Sequence, residues 1–203
     1  MTDPNPLLQE GIEKRKTTHE IAPEILGRWS PRAMSGEALS DEELMPLFEA
    51  ARWAPSSYNG QPWRFIYTKR DTPHWNAFFD LLVEWNKSWA LKAAVLAVVI
   101  ARKNFEHNEK PSPTYAFDTG ASWENLALEG ARRNLVVHGM EGFDYQKART
   151  ALNIPETFEI LAMIAIGKHG RKEDLPLKMQ EGELPNGRRP LQEIIMEGVF
   201  RER

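Results

Sequence analysis

The stretch Ala93-Ala94-Val95-Leu96-Ala97-Val98-Val99-Ile100-Ala101 is the longest apolar run of the chain. Its nine residues fall well short of the roughly 20 that a membrane-spanning helix needs. Rich in valine and free of polar side chains, the run instead predicts a strand that is buried on both faces of a sheet. Two shorter apolar segments, 63–68 and 161–166, predict further strands. We expect 93–101 to be the central strand.

Capping residues predict helices between these strands. Ser40 and Glu43 form a capping box, which predicts a helix that begins at Asp41 and is stopped by Pro55. Thr72-Pro73 predicts another helix start, because threonine is a good cap and proline suits the first helical position. Two more helices are predicted at 118–134 and at 144–152. Because helices alternate with a few short strands, the pattern predicts a helix-rich α+β or α/β fold.

The composition indicates one globular domain. The 203 residues are 41% hydrophobic and 27% charged, which suffices for one core and is too little charge for a disordered chain. We expect an N-terminal arm at 1–19, followed by a single domain at 20–203. The formal net charge of -3 argues against a nucleic-acid partner. Cysteine is absent, which excludes a disulfide scaffold, a zinc–thiolate site, an iron–sulfur cluster and a cysteine nucleophile.

The sequence also bears on location and on metals. The first residues lack the basic-then-apolar order of a signal peptide. We therefore expect a cytoplasmic protein with no membrane partner. The five histidines lack the spacing of a metal-binding helix, so no metal is expected. His138, next to Gly139, is interpreted as a cation at a helix C-terminus.

A basic cluster near the start of the chain suits an anion. Arg28-Trp29-Ser30-Pro31-Arg32 places two guanidinium groups four residues apart with a hydroxyl between them. Arginine offers charge-assisted, bidentate hydrogen bonds to phosphate, and serine adds a further donor. Arg188-Arg189 can complete such a phosphate cradle from the far end of the chain. The alternative is a solvated loop whose arginines pair with nearby carboxylates.

Two further segments suit a planar ligand. Pro55-Ser56-Ser57-Tyr58-Asn59-Gly60-Gln61-Pro62 combines hydroxyls and carboxamides, which match the alternating donors and acceptors along the edge of a base or a flavin ring. The alternative is a polar loop that caps its own backbone. Gly139-Met140-Glu141-Gly142 predicts a turn whose backbone closely approaches a planar ligand. The alternative is a helix stop and a new helix start capped by Asp144.

In this order, the segments resemble the nitroreductase family of FMN-dependent oxidoreductases over about residues 20 to 200. The stretches that carry the resemblance are Arg28-Trp29-Ser30-Pro31-Arg32, residues 54–63, Glu124-Asn125-Leu126-Ala127-Leu128, Glu141-Gly142-Phe143-Asp144, Ala165-Ile166-Gly167 and Arg188-Arg189-Pro190-Leu191. The resemblance implies an α+β fold with a mainly antiparallel central sheet flanked by helices. It also implies a homodimer with two FMN sites at the interface and with C-terminal extensions that reach the partner.

The resemblance implies an activity as well. Members pass two electrons from NADH or NADPH through FMN to nitroaromatic, quinone or related organic acceptors by a ping-pong mechanism. No side chain is assigned as catalytic, because the flavin and water can supply the protons. One alternative keeps the fold and FMN but changes the reaction, as in dehalogenation or flavin fragmentation. Another is a flavin-binding protein with little turnover that serves in storage or sensing.

By position, the resemblance assigns cofactor-binding residues to four parts of the FMN site. Those expected at the phosphate and ribityl chain are Arg28, Trp29, Ser30, Arg32, Arg188 and Arg189. Those expected to line the ring from the partner subunit are Pro55, Ser56, Ser57, Asn59 and Gln61. Glu141 and Gly142 are expected to present backbone near the reactive N5 atom, and Asn86 to contact the pyrimidine end.

Two departures from the family pattern concern the phosphate side. Trp29 stands where many members have arginine or histidine, and Asn186 stands where some have lysine. This side of the site is therefore expected to be less basic than in those members.

Overall fold

A four-stranded sheet organises the chain in a computed structural model that describes residues 5–202. Its strands are β1 (Trp63–Lys69), β2 (Val95–Arg102), β3 (Leu135–Met140) and β4 (Phe158–Lys168). They lie in the order β1-β2-β4-β3, and each neighbouring pair is antiparallel. This confirms the predicted α+β fold with an antiparallel central sheet, and it confirms the position of the central strand.

Helices cover both faces of this sheet. The helices of the described residues are α1 (Pro6–Lys14), α2 (Pro23–Gly27), α3 (Asp41–Arg52), α4 (Trp75–Phe79), α5 (Glu84–Ala90), α6 (Tyr115–Arg132), α7 (Tyr145–Ala151), α8 (Leu177–Gln180) and α9 (Leu191–Ile194). Successive side chains of β2 enter two separate hydrophobic clusters: Leu96 and Val98 pack with α4, α5 and α7, whereas Val95 and Ala97 pack with α3 and α6. Because both faces of β2 are buried, its sequence is apolar at every position up to Ala101.

Two of the predicted caps are confirmed. Ser40 Oγ accepts a hydrogen bond from the Glu43 amide at 3.3 Å, and Glu43 Oε2 accepts one from the Ser40 amide at 2.9 Å. Asp144 Oδ1 accepts from the Lys147 amide at 2.9 Å and so begins α7. These side chains satisfy amides that have no partner within their helices.

The predicted helix start at Thr72-Pro73 is wrong. The Thr72 hydroxyl donates to the Lys69 carbonyl at 2.7 Å and lies 2.9 Å from the Thr68 hydroxyl, so it belongs to the turn after β1. Helix α4 begins only at Trp75 and has no side-chain cap.

The prediction after α6 is also wrong, because β3 was missed. The helix expected to continue to residue 134 ends at Arg132, and Asn134 adopts a positive φ of 59° that turns the chain into β3. Gly139 and Met140, predicted to form a turn, instead pair with Ile164 and Met163 of β4.

The first helix packs tightly against the domain. Leu7 is fully buried, and Gly11 lies so close to the Gly27 carbonyl that any side chain there would collide with it. The division into an arm at 1–19 and a domain at 20–203 stays a prediction, and its residues 1–4 and 203 lie outside the described residues. Within 5–202, no helix is both long and apolar enough to cross a lipid bilayer.

The chain after β4 is mostly irregular. The segment expected as a polar arm at 171–189 contains a short 3-10 helix, Lys172–Asp174, and α8. Beyond it, the C-terminal tail at 190–202 carries a series of exposed apolar side chains. These are Leu191, Ile194, Ile195, Met196, Val199 and Phe200.

Candidate functional site

A cavity of about 230 Å³ lies between the segment that follows α2 and the C-terminal segment 182–188. We call it the arginine cavity. It is lined by Arg15, Arg28, Trp29, Ser30, Arg32, His138, Gly182, Leu184, Asn186 and Arg188. The fold therefore brings the N-terminal basic cluster together with Arg188. Arg189, the neighbour of Arg188, is exposed and does not line the cavity.

Positive charge predominates in the arginine cavity. Glu124 Oε1 lies 3.5 Å from Nε of Arg28, and Glu183 Oε2 lies 3.6 Å from Nη1 of Arg32. Among the described residues, no carboxylate pairs with the other two arginines of the lining. Four guanidinium groups thus face two carboxylates. This arrangement leaves two positive charges, which matches the dianion of a phosphate monoester.

Arg15 connects three segments around the cavity. Its guanidinium donates to the carbonyls of Leu26 and Arg28, each at 2.7 Å, and to that of Asn186 at 2.9 Å. Burial lowers the pKa of Arg15, and the nearby charges of Arg188 and Arg28 lower it further. Arg15 therefore holds the cavity walls together and adds to their positive charge.

Glu183 ties the C-terminal segment to the basic cluster. Its Oε1 atom accepts hydrogen bonds from the backbone amides of Arg32 at 2.6 Å and Ala33 at 2.8 Å. The side chain is almost completely buried. Because a buried carboxylate needs such partners to be tolerated, this contact specifies where Arg32 lies.

His138 lies on β3 and is not the helix-terminal cation that we predicted. Its Nδ1 atom is 2.9 Å from the Pro31 carbonyl, and its ring packs on Trp89 with a centroid distance of 4.6 Å. Burial is the main reason that the pKa of His138 is lowered to about 4; the charge of Arg32 also lowers it, and the carbonyls of Pro31 and Ser30 oppose the shift. His138 is therefore neutral at physiological pH.

A second, apolar cavity of about 450 Å³ adjoins the first. It is lined by Ser30, Val99, Ala116, Thr119, Gly120, Trp123, Gly139, Met140, Glu141, Leu161 and Ala162. Ser30 lines both cavities. Strand β3 contributes His138 to the first cavity and Gly139 and Met140 to the second, and Glu141 follows directly after the strand. The absence of a side chain at Gly139 makes room for Trp123, since a Cβ there would lie 3.3 Å from the indole.

A side chain of α5, Asn86, stabilises the turn that follows β3. Asn86 Nδ2 donates to the Gly142 carbonyl at 2.9 Å, and Asn86 Oδ1 accepts from Trp89 Nε1 at 3.3 Å. A Cβ on Gly142 would lie only 2.7 Å from Asn86 Nδ2, so the close approach requires glycine. Glu141 lines the apolar cavity, whereas Gly142 and Asn86 line neither of the two cavities.

The loop at 55–61 lines neither cavity of its own chain. Its Ser57 amide donates to the buried Asp118 carboxylate at 3.1 Å, and the Gln61 amide donates to Ser56 Oγ at 3.0 Å. Positive φ angles occur at Tyr58, Asn59 and Gln61, an unfavourable conformation for residues other than glycine that the surrounding hydrogen bonds stabilise. Pro55, Ser56, Ser57, Asn59 and Gln61 do not meet the predicted phosphate residues within one subunit.

Three contributors to the arginine cavity were missed by sequence reasoning. Arg15 lies in the segment predicted as an arm, and Glu183 lies in the segment predicted as a polar loop. His138 was noticed, but its role was misread because β3 was not predicted. The short apolar run Leu135-Val136-Val137, with its two β-branched residues, is the signal that could have corrected this.

Comparisons with known proteins agree with this architecture. The sequence profile described as "Nitroreductase family" matches residues 25–168. The chain belongs to the nitroreductase family. A solved structure described as an oxidoreductase containing FMN is 38% identical, with a TM-score of 0.89, and the match covers 100% of both chains.

Two curated relatives give further matches. The major NAD(P)H-flavin oxidoreductase of Aliivibrio fischeri is 25% identical over 219 aligned residues, covering 88% of this chain and 98% of that protein. An uncharacterized 15.4 kDa protein of Mycolicibacterium smegmatis is 30% identical over 89 residues, covering 44% of this chain. The chain thus spans 58% of the length of that second relative.

The two cavities fit FMN in chemistry and in order. The arginine cavity supplies donors and a charge suited to the phosphate, and the apolar cavity supplies a surface suited to a planar ring. Two buried indole N–H groups, Nε1 of Trp29 in the lining of the arginine cavity and Nε1 of Trp123 in that of the apolar cavity, make no hydrogen bond within the described part of the chain. Buried donors are normally paired. A polar ligand at this place could therefore accept the hydrogen bonds that these N–H groups do not make within the polypeptide.

Proposed function

We propose that this protein is an FMN-dependent oxidoreductase that takes electrons from NADH or NADPH and passes them to small organic acceptors such as nitroaromatics and quinones. The observation that carries the proposal is that a four-arginine cavity and an apolar cavity share the lining residue Ser30. The order of arginine cavity, shared residue and apolar cavity matches the order of phosphate, ribityl chain and ring in FMN. The FMN-containing structure that is 38% identical over the whole chain supports the same cofactor.

The arginine cavity would bind the phosphate end of FMN. Arg28, Arg32 and Arg188 would hold the phosphate through charge-assisted hydrogen bonds, with Ser30 as a further donor. The guanidinium of Arg15 and the carboxylate of Glu183 keep these groups in place through the backbone contacts described above. When bound, FMN supplies the transfer of two electrons, and the protein supplies orientation and electrostatics.

The apolar cavity serves the ring and the reactants. Val99, Trp123 and Met140 would keep water away from the ring, while Glu141 and Gly142 would present backbone groups to it. We assign no catalytic side chain. The reductant and the acceptor would occupy the same apolar space in turn, which implies ping-pong kinetics.

A homodimer completes the site in this proposal. The loop at 55–61 is held in a strained conformation but faces neither cavity of its own subunit, as expected if it lines the ring bound by the partner. The exposed apolar tail at 190–202 would cross to the partner, and its burial there would remove the apolar surface from water. Arg189 would take part in FMN binding only through this second subunit.

Absorbance spectroscopy of the purified chain tests the proposed function. We expect a yellow protein whose flavin absorbance disappears when NADH or NADPH is added without oxygen and returns when a quinone or nitroaromatic is added. A yellow protein that neither nicotinamide bleaches would instead indicate a storage or sensing role, or another electron donor. A colourless protein that FMN cannot reconstitute would refute the proposal.

Steady-state kinetics test the order of binding. Double-reciprocal plots at several acceptor concentrations should give parallel lines if the reductant leaves before the acceptor binds. Intersecting lines would contradict the shared cavity, because they require both molecules to be bound at once.

A further inference from the structure

His138 occupies the boundary between the two cavities, and the assignment of FMN groups above gives it no role. We propose that His138 binds the ribityl chain of FMN, with its Nε2 atom accepting a hydrogen bond from a ribityl hydroxyl. The proposal rests on the function proposed above, and it adds a ligand-binding residue to that site.

The hydrogen-bond pattern of the imidazole determines its tautomer. The Pro31 carbonyl, 2.9 Å from Nδ1, can only accept, so Nδ1 carries the proton and donates it. In a neutral imidazole the other nitrogen is then an acceptor. The Ser30 carbonyl also acts on the imidazole and opposes the lowering of its pKa, but within the described residues Nδ1 is the only ring nitrogen that forms a hydrogen bond.

The place of His138 in the fold corresponds to the middle of the cofactor. His138 lines the arginine cavity, whereas Gly139, the next residue of β3, lines the apolar cavity. Ser30, which lines both cavities, marks the same boundary. In FMN, the polyhydroxylated ribityl chain joins the phosphate to the ring, so it must cross this boundary.

The orientation of the imidazole is held on two sides. Trp89 packs against the ring, and its own Nε1 atom donates to Asn86 at 3.3 Å. The bond to Pro31 restrains Nδ1 on the other side. Nε2 is thus presented in one direction, as a binding residue requires.

The surrounding charges favour a neutral acceptor at this position. Arg15, Arg28, Arg32 and Arg188 line the same cavity and disfavour a further positive charge. Arginine has donors only, and Ser30 Oγ already accepts from Arg28 Nη1 at 3.3 Å. A hydroxyl-rich ligand needs acceptors as well as donors, and His138 provides one.

Three substitutions separate ligand binding from a structural role. His138→Phe keeps an aromatic ring against Trp89 and removes both nitrogens. His138→Asn keeps a donor near the position of Nδ1, for the Pro31 carbonyl, but offers no acceptor at the position of Nε2. His138→Gln reaches the position of Nε2 with an oxygen acceptor and gives up the donor at Nδ1.

Three flavins locate the contact. The full-length chain is stripped of flavin and titrated with FMN, with riboflavin, which lacks the phosphate, and with lumiflavin, which also lacks the ribityl chain. Binding is measured from the change in flavin fluorescence. The wild-type chain is titrated first, since failure of the wild type to bind FMN would refute the proposed function itself.

We expect the Phe and Asn variants to bind FMN and riboflavin roughly 5- to 100-fold more weakly, because a buried hydroxyl loses its partner. The loss should be the same factor for both ligands, lumiflavin binding should be unchanged, and the Gln variant should recover most of the affinity. If the Phe variant fails to fold, the Asn and Gln variants still distinguish ligand binding from a structural role.

Several results would overturn the role of His138 while leaving FMN binding intact. Recovery by Asn and not by Gln would show that His138 only positions Pro31. A loss for FMN but not for riboflavin would place the contact at the phosphate, and an equal loss for lumiflavin would place it at the ring. Wild-type affinity in all three variants would show no contact at all.

Discussion

Replacing Arg28 and Arg188 together with alanine should weaken FMN binding strongly and leave riboflavin binding almost unchanged. The two side chains come from opposite ends of the chain and line one cavity. Riboflavin lacks the phosphate that these arginines are proposed to hold. The ratio of the two affinities therefore isolates the phosphate contact from any general damage to the flavin site.

The magnitude follows from the contacts of each arginine. A hydrogen bond to a charged group contributes roughly 1.5–3 kcal/mol, or about a 10- to 150-fold change in affinity at 1.4 kcal/mol per tenfold. Arg28 shares its charge with Glu124 at 3.5 Å, so we expect its effect near the lower limit. Arg188 has no carboxylate partner among the described residues, so its effect should be larger. Together the losses should reach about 10²- to 10⁴-fold if they add.

The assay is a fluorescence titration of the flavin-free chain with FMN and with riboflavin. Arg171→Ala is the matched control, because Arg171 is an exposed arginine paired with Asp174 at 2.8 Å and does not line the arginine cavity. Thermal unfolding of each variant establishes that it is folded. An unchanged ratio of FMN to riboflavin affinity in the double variant would refute the assignment of the arginine cavity to the phosphate.

Further predictions concern stability. Gly130→Ala should destabilise the fold by about 1–3 kcal/mol through overpacking, because the new Cβ would lie 2.5 Å from Val137 Cγ2. Gly120 lies in the same helix but has open space around it. Gly120→Ala should therefore stabilise the fold by up to about 1 kcal/mol. Thermal unfolding of both checks this pair, and equal melting temperatures would contradict it. Ser40→Ala should cost about 0.5–2 kcal/mol in urea unfolding through loss of the cap, and an unchanged midpoint would show that the cap contributes nothing. The pKa of His138 falls from 6.5 to about 4 on folding, so the unfolded chain binds the proton first as the pH drops. The free energy of unfolding should therefore decrease by up to about 3 kcal/mol between pH 6.5 and 4. His138→Gln should remove that part of the dependence, and an identical pH profile in the variant would contradict it.

Local patterns were sufficient for the elements whose causes are local. The strand at 93–101 was predictable because burial on both faces demands apolar residues throughout. The helix from Asp41 was predictable because its capping box joins residues three apart. The basic cluster around Ser30 was recognised because its chemistry is contained in five consecutive residues.

The missed strand shows where local patterns become ambiguous. Leu135 continues the spacing of apolar residues in α6, so the helix appeared to extend past its true end at Arg132. The break depends on the positive φ of Asn134 and on pairing with β4, a strand more than 20 residues further along the chain. Neither feature leaves a strong mark on the sequence near 135.

The cavity itself depends on contacts between distant segments. Arg15 reaches the Asn186 carbonyl across 171 positions of sequence, and Glu183 reaches the Arg32 amide across 151. No periodicity or motif encodes such pairs, because each residue is locally compatible with a solvated surface. The proposed role of the loop at 55–61 is harder still to predict, since in that proposal it depends on a second copy of the chain.

A crystal structure of the protein grown with FMN tests the central claim most directly. We predict the FMN phosphate within hydrogen-bonding distance of Arg28 and Arg188, with the ring in the apolar cavity beside Trp123. A phosphate bound elsewhere, with the arginine cavity filled only by solvent, would contradict the account.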